Sequence, residues 1–183
     1  HKLGGPTGVG ALVVRDGAPL TPDRRGGGQE RYRRAGTENV AGIVGFGAAA
    51  EAGASGLDVD RLRDRLESEL RWIAPGAIAY GADAVRLGNT SCVSMPGVMA
   101  ETQVMALDLA GICVSAGAAC SSGKVGRSAV LEAMGVPAVE AATATRISLG
   151  WNTTAQDIER LIAAWRDLYI RAAHSDISQA QAA

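Results

Sequence analysis

A stretch built mostly from Gly, Ala and Ser, at residues 111–123 (GICVSAGAACSSG), most constrains what this chain can fold into. Its first part, residues 112–114, predicts a short buried strand. The small side chains that follow bury too little apolar area to fix one conformation, so we expect a mobile surface loop around Cys120. Two interpretations of Cys120 stay open from these residues alone: a reactive thiol that the loop moves, or a small cysteine buried in a turn.

Composition and charge fit a soluble globular protein and exclude several function classes. The 183 residues are enough for one domain and few for two, and 47% of them are hydrophobic. A formal net charge of −1 gives no argument for nucleic acid or for an anionic membrane surface. The sequence has no apolar run of about 18 residues and no signal-peptide pattern, so we expect no membrane association. The absence of an initiator methionine predicts that the chain is part of a longer protein.

The three cysteines predict a reducing, cytoplasmic compartment. Cys92, Cys113 and Cys120 form an odd set without C-x-x-C spacing, which argues against a disulfide framework and against a zinc site. Cys92 and Cys113 lie in apolar, strand-like surroundings, so both are predicted to be core residues.

A break in composition at residues 52–57 (AGASGL) predicts two units, residues 1–52 and residues 57–183. The first is expected to hold a buried strand at residues 9–14, a loop and a helix, and to need a partner sheet. The second is expected to be a compact α/β unit. Its predicted helices lie between Asp58 and Pro75 and at residues 100–110, 127–134 and 154–172, and its predicted strands lie at residues 77–80, 90–95 and 145–149.

An arginine-rich segment at residues 24–40 (RRGGGQERYRRAGTENV) precedes the first predicted helix. It is not a Walker phosphate loop, because no Gly-Lys-Ser/Thr follows its glycines. An RNA-binding arm is a weak alternative, since Tyr32 is the one aromatic residue there that could stack on a base. Thr37 is predicted to be the helix N-cap, where free backbone N–H groups suit either a phosphate or a simple cap.

Five sequence blocks in one order resemble the cysteine desulfurases, pyridoxal-phosphate (PLP) enzymes of the aminotransferase class V superfamily. The long small-residue segment around Cys120 is similar to that of the family branch that serves iron–sulfur cluster and nitrogenase assembly. The resemblance implies PLP-dependent transferase fold type I, with residues 1–52 ending the large domain and residues 57–183 forming the small C-terminal α/β domain. The blocks are His1-Lys2 before Gly4-Gly5-Pro6, GGGQERYRRAGTENV, SMPG at 94–97, SAGAACSSG, and TRISLG at 145–150.

The resemblance implies a role for each of five residues. Lys2 would hold PLP as a Schiff base and move the substrate Cα proton, while His1 contacts the cofactor phosphate. Thr37 would contact the phosphate in the neighbouring subunit's site, which implies a homodimer. Cys120 would take sulfur from L-cysteine as a persulfide for a sulfur-accepting scaffold protein, leaving L-alanine. Arg146 would bind the substrate α-carboxylate, which the planar guanidinium suits.

The chain also departs from the family pattern. Thr7, Tyr32 and Met99 stand where the family often has Lys, Gly and an acidic residue. In the family, the segment before the lysine supplies the aromatic residue stacked on the pyridine ring, the Asp paired with its nitrogen, and further phosphate ligands. Because this chain carries none of that segment, a catalytically incomplete fragment that only binds a partner stays open. A selenocysteine lyase or another class V relative is the alternative within the superfamily.

Overall fold

The computed structural model describes residues 2–53, 59–116 and 128–181, with side chains as far as residue 173. Predictions for His1 and Cys120 therefore lie outside the described residues. The chain separates into two compact units, His1–Gly56 and Leu57–Ala183. Which domains of a larger protein they represent stays a prediction. No helix in the described ranges is long and apolar enough to span a membrane.

The first unit contains a short 3-10 segment, Gln29–Tyr32, in which Glu30 and Arg31 have non-helical, left-handed backbones, and helix α1, Val40–Gly53. The predicted buried strand at residues 9–14 is wrong: these residues form no strand, and Leu12 and Val13 are 75% and 94% exposed. A strand is stable only where a neighbouring strand pairs with its backbone N–H and C=O groups, and no strand is described in this unit.

The N-cap of α1 is Asn39 and not Thr37, so that prediction is also wrong. The Asn39 side-chain oxygen accepts a hydrogen bond from the Gly42 N–H at 3.1 Å, and its carbonyl accepts one from the Ile43 N–H at 2.9 Å. Asn39 caps the helix because it directly precedes the first helical residue and its short side chain reaches the third helical N–H. Thr37 is exposed in the preceding loop.

The second unit is a three-stranded antiparallel sheet with helices, in the order β1-β3-β2 across the sheet. Its predicted helices and two of its predicted strands are confirmed within two residues at each end, except that the last helix, predicted to end at residue 172, extends to Gln181. Residues 77–80 form only an isolated bridge, between Ala79 and Val93, and α5 was not predicted. The elements are α2 Asp60–Ile73, β1 Thr90–Ser94, α3 Ala100–Leu109, β2 Ser115–Ala116, α4 Ala129–Ala133, α5 Ala138–Ala141, β3 Ala144–Ser148 and α6 Ala155–Gln181.

The core of the second unit lies between the sheet and its long helices. Leu66 and Leu70 of α2 are one helical turn apart, and both are fully buried with Val93 of β1 and Trp165 of α6. Each such side chain contributes about 1.5–3 kcal/mol relative to an exposed one. This core covers one face of the sheet, and the side chains of alternate strand residues lie on the other face.

A buried carboxylate connects α2 to β1. Glu67 is 2% exposed and accepts hydrogen bonds from both terminal nitrogens of Arg86, at 2.6 and 2.7 Å, and from the Ser91 hydroxyl at 2.6 Å. Burial opposes ionisation of Glu67, but the hydrogen bonds from Arg86 and Ser91 outweigh it, and the pKa of Glu67 is lowered. This network fixes the chain before β1 and hence the position of β1 beside β3.

Candidate active site

Arg146 lies at the middle of β3, the central strand of the sheet. The antiparallel register pairs it with Cys92 of β1 on one side and with Ser115 of β2 on the other. Residues that pair directly across antiparallel strands share a face, with Cβ atoms about 4.5–5.5 Å apart. All three residues are half-buried, while the neighbours of Arg146 along β3, Thr145 and Ile147, are buried on the opposite face.

The Arg146 guanidinium forms no ion pair with any carboxylate in the described part of the chain. Its cross-strand neighbours are small and uncharged, and Ala144, two residues away on the same face, is also small. A half-buried arginine without an internal counterion has its donors available for an external anion. The planar fork of the guanidinium suits a carboxylate best, because two parallel N–H···O bonds form at once.

Cys92 is a titratable neighbour of this arginine. Burial raises the pKa of the Cys92 thiol above its ordinary value, and the charge of Arg146 opposes that rise only in part. The thiol is therefore neutral near pH 7, so Cys92 adds no negative charge beside Arg146.

Cys113 is exposed, so the prediction that it is a core residue is wrong. Residues 112–114 form no strand; they follow the C-terminal end of α3, where Gly111 has a φ of +75° and Ile112 donates to the Leu107 carbonyl at 2.9 Å. That turn ends the helix by satisfying its last carbonyls, and it leaves Ile112 and Val114 half-buried with Cys113 directed outward. Strand β2 begins only at Ser115.

The two described residues assigned to PLP by resemblance, Lys2 and Thr37, belong to the first unit. Both side chains are exposed. A primary amine and a hydroxyl are the groups needed to hold the cofactor aldehyde and to donate to its phosphate, so these residues fit two of the contacts PLP requires. Arg146 belongs to the second unit.

An open cavity of about 780 Å³ lies within the first unit. Its walls combine apolar side chains of residues 9–14 with several of the arginines of the segment at 24–34. Glu30 and Arg31, which line it, and the next residue, Tyr32, have left-handed backbones, with φ of +50°, +55° and +61° respectively. Glycine adopts that conformation readily, which gives a physical reason for the family's glycine where this chain has Tyr32.

The family model for aminotransferase class V matches residues 1–161, and the chain belongs to that family. A cysteine desulfurase of Cereibacter sphaeroides is 51% identical over 164 residues, which cover 88% of this chain and 42% of the relative. The solved structure of a NifS-like protein superposes with a TM-score of 0.74 at 35% identity, over 92% of this chain and 44% of that one. A structure titled "SspA in complex with cysteine" gives a TM-score of 0.60 at 32% identity, over 81% and 42%.

These comparisons confirm the family and fold type I of the PLP-dependent transferases. They also show that the chain spans less than half the length of the curated relatives it matches. The roles of Lys2, Thr37, Cys120, His1 and Arg146 stay predictions.

Proposed function

We propose that this chain is the substrate-binding and sulfur-accepting part of a PLP-dependent cysteine desulfurase, which converts L-cysteine to L-alanine and transfers the sulfur to Cys120. The observation that carries the proposal is the placement of Arg146. It is half-buried and forms no ion pair within the described ranges, and it lies beside the strand that continues into the segment containing Cys120. The similarity to the structure titled "SspA in complex with cysteine" supports the substrate class.

Arg146 binds the α-carboxylate of the substrate with both arms of its guanidinium. A bidentate contact fixes the orientation of the amino acid as well as its distance, so the substrate sulfur is held in one direction. Three residues separate Ala116 of β2 from Cys120, and the four residue-to-residue steps between them reach at most ~14 Å. The Cys120 thiol is thus tethered close to the strand that flanks Arg146.

Lys2 and Thr37 are the described residues that would hold the cofactor. When bound, PLP withdraws electrons from the substrate Cα. The Lys2 amine attaches the cofactor and then moves the Cα proton, while the Thr37 hydroxyl donates to the phosphate in the site of a second subunit, as in a homodimer. His1, beside Lys2 in the sequence, adds a phosphate contact.

The sulfur transfer balances without an external oxidant. The Cys120 thiolate attacks the substrate Sγ, a sulfur–sulfur bond forms, and the Cβ–Sγ bond breaks with its electron pair remaining on carbon. A proton on that carbon then completes L-alanine, and Cys120 is left as a persulfide. The net change is L-cysteine plus a thiol to L-alanine plus a persulfide, in which carbon is reduced as sulfur is oxidised.

The acceptor of the persulfide sulfur is a scaffold protein for iron–sulfur or nitrogenase cluster assembly, in the cytoplasm. The likeness to a NifS-like structure and the small-residue segment around Cys120 support this assignment.

The test uses a hybrid in which the N-terminal part of the Cereibacter sphaeroides relative precedes residue 1, loaded with PLP. Cys120→Ser is expected to abolish persulfide labelling and alanine formation, whereas Cys113→Ser, which removes the exposed Cys113 thiol, is expected to leave both in place. Persulfide formation that persists in Cys120→Ser would remove Cys120 from its role.

A second candidate, a fragment that only binds a sulfur-accepting partner, is favoured by the coverage of 42% of the relatives. The hybrid separates the two, since only the enzyme proposal requires residues 1–183 to bind PLP and convert L-cysteine once the N-terminal part is supplied. Relative turnover of cysteine and selenocysteine by the hybrid separates a desulfurase from a selenocysteine lyase.

A further inference from the structure

The side chains next to Arg146 differ from those next to Arg86 and Arg63, two other arginines of the second unit. Arg86 is paired with the buried Glu67, and Arg63 lies within 3.6 Å of Asp60 and 2.7 Å of Asp64. Arg146 instead has a thiol on one neighbouring strand and a hydroxyl on the other. On this face of the described sheet, Arg146 carries a charge that neither of its directly paired residues compensates.

We infer that Cys92 is a positioning residue that acts through Arg146: a small, uncharged side chain directly across from the guanidinium keeps it free for the substrate carboxylate. This inference rests on the proposed function of Arg146. Ser115 does the same from the other strand.

The position of Cys92 across from Arg146 follows from the strand register. The Cys92 and Arg146 pair is set by the β1–β3 register and is not adjustable, because a slip of one residue would move Val93 and Ile147 out of the core. Any acidic residue at position 92 would lie within ion-pair reach of the guanidinium. An internal carboxylate there would compete with the substrate carboxylate at every substrate concentration, since it is covalently held beside its partner.

The chemistry of a thiol suits this position. Its volume is small and its surface largely apolar, so a half-buried cysteine packs on the sheet without needing a polar partner. Burial keeps it in the neutral form, as described above. An aspartate of similar size would instead be ionised near pH 7.

The experiment compares Cys92→Asp with Cys92→Asn in the PLP-loaded hybrid. The two side chains have nearly the same shape, so their difference isolates the charge. Cys92→Asp is expected to raise KM for L-cysteine by roughly fivefold relative to Cys92→Asn, with kcat of the two variants within about twofold. Calorimetric titration with L-alanine, which carries the same carboxylate but no sulfur, should show a loss of affinity of the same size.

Two controls make the result specific. Thr90→Asp adds the same charge to the same strand and face, two register pairs away, and its effect on KM should be clearly smaller. In an Arg146→Ala background, Cys92→Asp should have no further effect, because the charge it competes for is absent. If Cys92→Asp fails to fold, Ser115→Asp places the carboxylate on the other neighbour of Arg146.

The outcomes of these experiments distinguish a failure of the inference about Cys92 from a failure of the proposed role of Arg146. If Arg146→Ala leaves KM and L-alanine binding unchanged, the proposed role of Arg146 fails. If Arg146→Ala weakens both but Cys92→Asp matches Cys92→Asn, the role of Arg146 stands and the inference about Cys92 is overturned. An equal effect of Cys92→Asp with and without Arg146 would also overturn it.

Discussion

Tyr32 holds a backbone conformation that its side chain disfavours. Its φ of +61° follows two other left-handed residues, and its ring packs against Gly28, where an added Cβ would lie 3.0 Å from the ring carbons. A left-handed backbone costs a residue with a Cβ roughly 1–2 kcal/mol, while glycine adopts it freely. The segment at 30–32 is therefore strained, and that strain is maintained by its surroundings.

We expect Tyr32→Gly to be more stable than Tyr32→Ala by about 1 kcal/mol, because both variants lose the ring and only glycine relieves the backbone. Hydrogen exchange of peptides from residues 24–53 measures the difference locally. Equal protection in the two variants would contradict the left-handed conformation at position 32.

The site residues show what could be predicted from the sequence at this scale. Arg146 is predicted as a site residue from the TRISLG block, because the resemblance assigns that residue a role. Its neighbours Cys92 and Ser115 could not be found this way. They are distant in sequence, and they meet Arg146 only because β3 inserts between β1 and β2 in the sheet.

At the scale of elements, the Glu67–Arg86 pair holds α2 against the start of β1. Removing one partner of a buried ion pair leaves an uncompensated charge, at a cost of about 3–5 kcal/mol. Arg86→Met is expected to destabilise the second unit by that order. Arg65→Met, which loses an exposed 3.1 Å pair with Glu159, is the matched control and should cost under about 1 kcal/mol. Urea unfolding followed by fluorescence of the buried Trp165 measures both, and equal costs would contradict the structural role of Arg86.

The same pair predicts a dependence of stability on pH. The pKa of Glu67 in the folded chain lies below its ordinary value of 4.5, so the unfolded chain takes up this proton first as the pH falls. The stability contributed by the ionised carboxylate is complete above the unfolded pKa and is lost as the pH falls through the folded pKa. Glu67→Gln should therefore show a shallower fall in the free energy of unfolding between about pH 6 and pH 3. An unchanged slope would mean that other carboxylates account for acid unfolding.

Elements with their own local signals were predictable, and those that depend on distant partners were not. The amphipathic spacing of α2 and the capping box of α6 are local; Thr154 and Asp157 exchange hydrogen bonds at 2.9 and 3.2 Å, which confirms the box. The predicted strand at residues 9–14 failed because an apolar run cannot indicate whether a pairing strand is present. The Glu67–Arg86 pair joins residues 19 apart that have no periodic relation.

At the scale of the whole molecule, helix α1 indicates that the first unit belongs in a larger protein. Its apolar residues surround the helix axis, and Val40 and Val44 are 65% and 66% exposed. A helix that is apolar on all sides is typical of a buried position. The coverage of 42% of the relatives agrees, since more than half of the family's length lies outside the match.

Cofactor binding is the property that should depend most on this larger context. The sequence contains two lysines, Lys2 and Lys124, so each single replacement leaves the other amine as an internal control. In the hybrid we expect a visible absorbance band of bound PLP that is lost in Lys2→Ala and kept in Lys124→Ala. The 183-residue chain alone should give no Lys2-dependent band, because the resemblance puts the ring-stacking residue and the Asp for the ring nitrogen in the segment before Lys2.

A band that survives Lys2→Ala in the hybrid would reject Lys2 as the cofactor lysine. A Lys2-dependent band from the chain alone would mean instead that residues 2–53, with their exposed amine and arginine-lined cavity, hold the cofactor without that segment.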